Sequence, residues 1–371
     1  LAGALQPRPA DERQPALTGL HVNGRFVTQP QSGVQRFAGE ITRALLAVRP
    51  DTTQLHVPVG GAKIWPGAVE TGRLQGQAWE QWDLPGQVRG VLVNLGNTAP
   101  LRLRRQLVVI HDAGVFSTPE AYSPRFRLWY KFMQRVLVKR GVPIVTVSEF
   151  SRQEIMRHLG ARPEQVAIMP EGADHMQRIL GEPDILQRHN LQPGRFVLAV
   201  GNLAAHKNLG ALARLAQSLP EHGMVLAVAG NAGNLLNNAF SASNGPILPE
   251  AARFLGRVTD GELKALYEAA TCFVFPSRYE GFGLPAVEAM ASGCPVVAAE
   301  IPALRETCAD AAFYCDPHSP ENIAERVLQL CNDTALQDSL RNAGTERTRE
   351  MTWQNAAEKL REIIAANALG R

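Results

Sequence analysis

The sequence has no run of eighteen consecutive apolar residues, so no transmembrane helix is expected. It also has no Cys-x-x-Cys pair and no Cys/His metal spacing; Cys272, Cys294, Cys308, Cys315 and Cys331 stand apart. An odd number of mostly apolar-flanked thiols points to a reducing, cytoplasmic setting rather than a disulfide framework. No Asp-x-Asp motif and no Cys, His or carboxylate cluster lies near a glycine loop, so neither a metal nor a cofactor is expected. Internal repeats and low-complexity tracts are missing. Residues 1–16 lack an apolar stretch long enough for a signal peptide and read as a disordered lead-in. Leu1 in place of Met suggests a trimmed chain or an excised domain.

What is present is the composition of a globular protein, 45% hydrophobic and 20% charged, over 371 residues. That length exceeds one ordinary core and predicts two domains, residues 17–175 and 176–371. The net charge of +3 hides an asymmetry. Residues 1–180 carry 22 Lys/Arg against 14 Asp/Glu, and the remainder carries 16 against 21. A basic first half implies an anionic surface facing it.

The chain is organised around residues 271–299. Thr271-Cys-Phe-Val-Phe-Pro and Pro295-Val-Val-Ala-Ala read as buried strands. Between them, Pro285 suits a helix start and Gly293 a helix stop, which predicts a helix over 285–292. Gly281 and Gly283 let an anion approach the helix N-terminus without a Walker-type lysine. Glu280 and Glu288 bracket the same pocket.

Glu280-Gly-Phe-Gly-Leu-Pro-x-x-Glu288-Ala-Met-Ala-x-Gly-x-Pro-Val-Val resembles the signature of family 4 glycosyltransferases over eighteen contiguous positions. The resemblance implies an α/β fold of the GT-B type, two Rossmann-like domains facing a central cleft with the last helix crossing back to the first domain. It implies a retaining, metal-independent transferase that uses a nucleotide sugar. In that family's pattern Glu288 holds the ribose hydroxyls and Glu280 the donor sugar hydroxyls. The loop Gly281, Phe282, Gly283 and Leu284 donates backbone N–H groups to sugar and phosphate.

Other segments extend the resemblance. Leu17–Asn23 reads as a first strand, followed by a loop to Phe37 and a helix over 37–48. Within that loop Ser32-Gly-Val-Gln-Arg-Phe resembles the family's segment beneath the donor phosphates, which places Gly33 at the cleft. Strands over 88–95 and 106–110 follow, and the second ends in His111-Asp112; the resemblance sets His111 beside the anomeric carbon and sugar O6. Strands over 142–148 and 165–169 flank a helix reaching His158, capped by Ser148 or Ser151. Residues 170–194 read as a linker. The second domain opens with a strand over 195–202, and Lys207 resembles the family's phosphate-binding lysine. Asn202 stands where the family usually has arginine, and Arg278 is the candidate substitute. Phe254-Leu-Gly-Arg-Val258 resembles the nucleobase-holding segment, with Gly256 and Val258 against the base. Asp260 is a candidate cap for a helix over 262–270, residues 231–246 read as a surface loop, and Thr352 is a candidate cap for a final helix over 353–366.

The helix over 122–141 carries an apolar stripe of Phe126, Tyr130, Met133 and Leu137. A cationic row of Arg127, Lys131, Arg135 and Lys139 makes it a candidate membrane-surface contact. Asn23-Gly-Arg-Phe-Val-Thr-Gln and the His-Asp segment look most like bacterial polysaccharide mannosyltransferases. The expected partners are therefore GDP-mannose, or second a UDP-hexose, and a saccharide or lipid-linked saccharide acceptor, with no nucleic acid. A non-catalytic partner subunit of the same fold is the remaining alternative.

Overall fold

The computed structural model describes residues 19–48, 52–230 and 251–369. The expected lead-in over 1–16 and the surface loop over 231–246 lie outside the described residues.

Two parallel sheets form the frame. Seven strands, Leu20–Asn23 (β1), Thr53–Val57 (β2), Val69–Glu70 (β3), Val91–Asn94 (β4), Gln106–Val109 (β5), Ile144–Thr146 (β6) and Val166–Ile168 (β7), make a sheet of order β3-β2-β1-β4-β5-β6-β7. Six more, Phe196–Val200 (β8), Val225–Ala229 (β9), Arg253–Gly256 (β10), Cys272–Phe275 (β11), Val296–Ala299 (β12) and Phe313–Cys315 (β13), make the second, of order β10-β9-β8-β11-β12-β13. Each strand order reverses beside its first strand, between β1 and β4 and between β8 and β11. Ligands of open α/β sheets bind at such points, beyond the carboxyl ends of the strands. The central strands of the second sheet, β8, β9, β11 and β12, are apolar throughout because helices cover both faces.

The principal helices are Gly33–Val48 (α1), Pro124–Lys139 (α2), Glu149–Leu159 (α3), Asp260–Ala269 (α4), Leu284–Ala291 (α5), Pro320–Asn332 (α6), Thr334–Thr348 (α7) and Trp353–Leu369 (α8). α1 begins at Gly33, four residues before the expected start. α5 runs within a residue of the expected limits, with Pro285 in its first turn and Gly293, at φ +71°, just past its end. Ser148 caps α3 and Thr352 Oγ1 accepts from Asn355 N at the start of α8. α4 is capped by Thr259 rather than Asp260. Thr259 Oγ1 accepts from Glu262 N while the Glu262 carboxylate accepts from Thr259 N, a reciprocal capping box. That leaves the Asp260 side chain free to pair elsewhere.

α8 returns to the first sheet. Trp353, Ala356, Ala357, Leu360, Ile363 and Ile364 lie on one stripe and join a core with Leu20, Val22, Phe37, Ile41 and Val93. The segment 170–194 is more than a linker. It holds the short helices His175–Arg178 and Asp184–Arg188, and Met176, Ile185 and Leu191 are buried in the core of the second sheet.

Candidate functional site

The loops beyond β8 and β11 meet at the second switch point. Lys207, in the turn after β8, and Glu280, in the loop after β11, form an ion pair, Nζ to Oε1, at 2.6 Å. α5 begins just after this loop, at Leu284, and its N-terminus carries the positive end of the helix dipole. Two glycines shape the approach. A Cβ on Gly281 would stand 2.6 Å from the carbonyl oxygen of His111, and Gly283 sits at φ +94° with Leu304 Cδ2 2.3 Å from where a Cβ would be. Neither position admits a side chain without moving its neighbours.

The loop is tied to the first domain from two directions. Ser148 Oγ and Ser151 Oγ donate to Gly281 O at 2.6 and 3.2 Å. Phe282 and Leu284 turn their side chains into the core that holds Phe37 and Trp353, so only their backbone groups are left to face a ligand. Across the cleft, the carboxylate of Glu306 accepts from Glu149 N and Phe150 N, covering the first turn of α3.

His111 lies two residues after β5 and is buried. Its Nε2 meets Leu95 O at 3.0 Å, Nδ1 lies 3.4 Å from Glu171 Oε1, and its ring packs edge-on to Phe37. A carbonyl only accepts, so Nε2 carries the proton. Burial opposes a positive His111, but the hydrogen bond and charge of Glu171, the Leu95 carbonyl and Asp112 outweigh it and raise its pKa. Both ring nitrogens therefore have protein partners, and it is the backbone of His111 that abuts the Gly281 loop.

Glu288 is buried on the inner side of α5. Its Oε1 takes His175 Nε2 at 3.0 Å and Arg36 Nε at 3.4 Å. Arg36, from α1, also grips Asp260 through both terminal nitrogens, which is where the carboxylate released from capping goes. Glu40 pairs with Arg178 beside it. Arg36, Glu40, His175, Arg178 and Asp260, but not Glu288 itself, line a cavity of about 610 Å³ between α1, the residues after β1 and β2, the helix His175–Arg178 and the start of α4.

The remaining expected residues spread along the cleft rim. Gly33, the first residue of α1, is exposed with open space around its Cα. Asn202 is exposed and its Oδ1 accepts from Ala204 N. Gly256 has φ +73°, and Val258 is half-buried against the second core. Arg278 is exposed, and its backbone N–H donates to His206 O, one residue from Lys207. Glu171, His175 and Arg36 were not legible as site residues. Their partners lie 60, 113 and 252 positions away in the chain, and no local pattern marks them. Among the described residues no group of three or more His, Cys, Asp or Glu side chains could hold a metal ion, and no helix is long and apolar enough to cross a membrane.

The family model described as glycosyl transferases group 1 matches residues 182–347. The O-antigen chain mannosyltransferase B of Escherichia coli is 31% identical over 265 residues, 69% of this chain and 69% of that protein. The O-antigen chain mannosyltransferase RfbU of Salmonella typhimurium is 28% identical over 273 residues, 70% of this chain and 72% of that one. Among solved structures, WaaG, a glycosyltransferase involved in lipopolysaccharide biosynthesis, superposes with a TM-score of 0.69 at 17% identity, over 93% of this chain and 99% of that chain. At that identity the likeness concerns the fold, two Rossmann-like domains in the GT-B arrangement.

Proposed function

The chain belongs to the glycosyl transferases of group 1, and from that premise we propose that it moves mannose from GDP-mannose to a saccharide, lipid-linked or free, in the assembly of a bacterial surface polysaccharide. The carrying observation is the Lys207–Glu280 pair, 2.6 Å apart, facing the Gly281–Leu284 loop at the start of α5. Two relatives that are O-antigen mannosyltransferases support mannose as the sugar.

The chemistry follows from what each group offers. A leaving diphosphate needs its charge held as it departs. Lys207 supplies a point charge and α5 supplies aimed N–H groups, in a cleft that excludes water. No divalent cation is then required. Glu280, freed from Lys207 by the incoming phosphate, accepts from hydroxyls of the sugar. Glu288 does the same for the ribose, and the backbone at Gly256 and Val258 borders the base. His111 lies close to the anomeric carbon and, with Gly33 across the cleft, completes the donor enclosure. The leaving phosphate takes the acceptor's proton, and the new bond forms on the face it leaves, so the α configuration is kept.

The first domain offers a surface for membranes. Leu128 and Phe132 are 74% and 51% exposed, and Arg135 and Lys139 share their face of α2. This narrows the cationic row. Arg127 donates to Pro119 O and Lys131 stands over the Phe116 ring at 4.8 Å, both half-buried; Arg135 also meets that ring, at 5.4 Å, but is exposed, as is Lys139.

Calorimetry with GDP and UDP, followed by assay of mannose transfer from GDP-mannose in excess chelator, tests the reading. GDP binding with chelator-resistant transfer and an α-linked product is expected. Tight UDP binding without GDP binding would move the donor to a UDP-hexose. Binding of neither would sink the transferase reading in favour of a non-catalytic subunit.

A further inference from the structure

The apolar stripe of α2 divides. Met133 and Leu137 are buried against β5 and β6 neighbours such as Val108 and Ile144. Phe126 and Tyr130 stand on the same side of the helix, one and two turns earlier, yet Phe126 is 38% exposed and Tyr130 half-buried. The Tyr130 hydroxyl accepts from Arg25, in the turn after β1, which holds that ring in place. With Tyr122, just before the helix, they form a ladder of rings, 5.5 Å between Tyr122 and Phe126 and 3.9 Å between Phe126 and Tyr130, nearly parallel in both steps.

The ladder starts beside the donor loop. The space above Gly114 is shared by two polar groups: a Cβ there would lie 2.7 Å from the Tyr122 hydroxyl and 2.9 Å from Asp112 Oδ1. Asp112 in turn borders the donor loop, its Cβ 3.1 Å from where a Cβ of Gly281 would stand. Asp112 Oδ1 takes Gly114 N at 2.7 Å, which fixes the carboxylate. A continuous wall therefore runs from Gly281 through Asp112 and Tyr122 to Phe126 and Tyr130.

We propose that Asp112, Tyr122, Phe126 and Tyr130 form the acceptor subsite and take a pyranose ring of the acceptor saccharide. Resting on the transferase reading above, this names the groups that meet the second substrate. A pyranose has an apolar C–H face and a rim of hydroxyls. Aromatic surface suits the first, while a fixed carboxylate and a phenol suit the second. An acyl chain would use the rings but desolvate the Asp112 carboxylate without offering it a donor to add to Gly114 N, which is unfavourable.

Phe126→Ala and Tyr122→Phe test this in the full chain, with Phe126 exposed enough for its truncation to leave folding intact. Calorimetry gives the Kd for GDP and UDP. Acceptor KM is measured with octyl glycosides of manno, gluco and galacto configuration, using the nucleotide sugar the wild type accepts. Phe126→Ala is expected to raise acceptor KM about ten-fold, the loss of one stacked ring, with Tyr122→Phe smaller and the nucleotide Kd unchanged in both. Unchanged acceptor KM overturns the subsite. Equal weakening of nucleotide binding also overturns it, since the ladder would then serve the donor. A wild type that binds nucleotide but hydrolyses its sugar at one rate with or without every glycoside removes this subsite alone. One that binds neither nucleotide removes the transferase reading beneath it.

Discussion

The indole N–H of Trp353, the first residue of α8, donates to His175 Nδ1 at 3.1 Å. Indole nitrogen only donates, so His175 Nδ1 accepts and Nε2 carries the proton that goes to Glu288 Oε1 at 3.0 Å. The two crossings between the domains, near residue 175 and near residue 353, are thus wired to one carboxylate of the donor cleft. All three side chains are buried.

His175→Ala breaks this relay. It leaves the Trp353 N–H unpaired in the interior, a cost of about 1–3 kcal/mol in stability, and lets Glu288 turn toward Arg36. We expect GDP affinity to fall about ten-fold, with His175→Gln recovering part of it through its amide N–H. Calorimetry on the two variants checks this; an unchanged Kd in His175→Ala would detach the relay from nucleotide binding.

Glu280→Gln separates sugar from phosphate. In the unliganded cleft Glu280 and a phosphate compete for Lys207. Removing the carboxylate charge frees the lysine, so GDP should bind more tightly. Transfer should nevertheless fall by about 100-fold, because a charge-assisted bond to a sugar hydroxyl, about 1.5–3 kcal/mol, is lost where the reaction needs it. The measurement is Kd for GDP beside kcat for GDP-mannose. Weaker GDP binding together with normal kcat would reverse the assignment.

How far these relations could be read in advance depends on their range along the chain. The strands of the second sheet's centre were legible because parallel strands covered on both faces are apolar throughout, as Val296–Ala299 is; Thr53–Val57 and Val69–Glu70, which carry polar residues, were not foreseen. The limits of α5 were legible because Pro285 and Gly293 act locally. Thr259 as the cap of α4 could have been seen too, since Glu262 follows at the spacing of a capping box; the acidic Asp260 drew the reading one residue too far. Arg36, Glu171 and His175 had no such local mark. Arg36 and His175 take their environment from the closure of one domain on the other, Glu171 from a contact 60 residues away with His111, and polar residues in 170–194 look like a spacer until Met176 and Ile185 are seen in the core.

The His111–Glu171 contact sets a pH dependence. The folded-state pKa of His111 is raised above the ordinary 6.5. Its contribution is therefore fully present below the unfolded value and is lost as pH rises through the folded value. Melting temperatures at about pH 6 and about pH 9 should differ more in the wild type than in Glu171→Gln, which lacks the charge. Equal differences in the two proteins would show that Glu171 does not hold the proton on His111.

The exposed face of α2 should bind anionic membranes. Leu128 and Phe132 supply apolar surface, and Arg135 and Lys139 stand beside them. Each cation near an anionic surface contributes about 1 kcal/mol, and salt screens that part while leaving the apolar part in place. Two variants divide the contributions. Arg135→Glu with Lys139→Glu should abolish the salt-sensitive binding to vesicles of phosphatidylglycerol and phosphatidylethanolamine. Leu128→Ser with Phe132→Ser should weaken binding at every salt concentration, because the apolar area is lost whatever the screening. Co-sedimentation at low and high salt reads both, and transfer to a water-soluble acceptor should be unaffected, since these side chains face away from the cleft wall of Tyr122 and Phe126. If the wild type ignores anionic vesicles, or both variants bind them as well as it does, α2 is an ordinary solvated helix and the acceptor is a soluble saccharide.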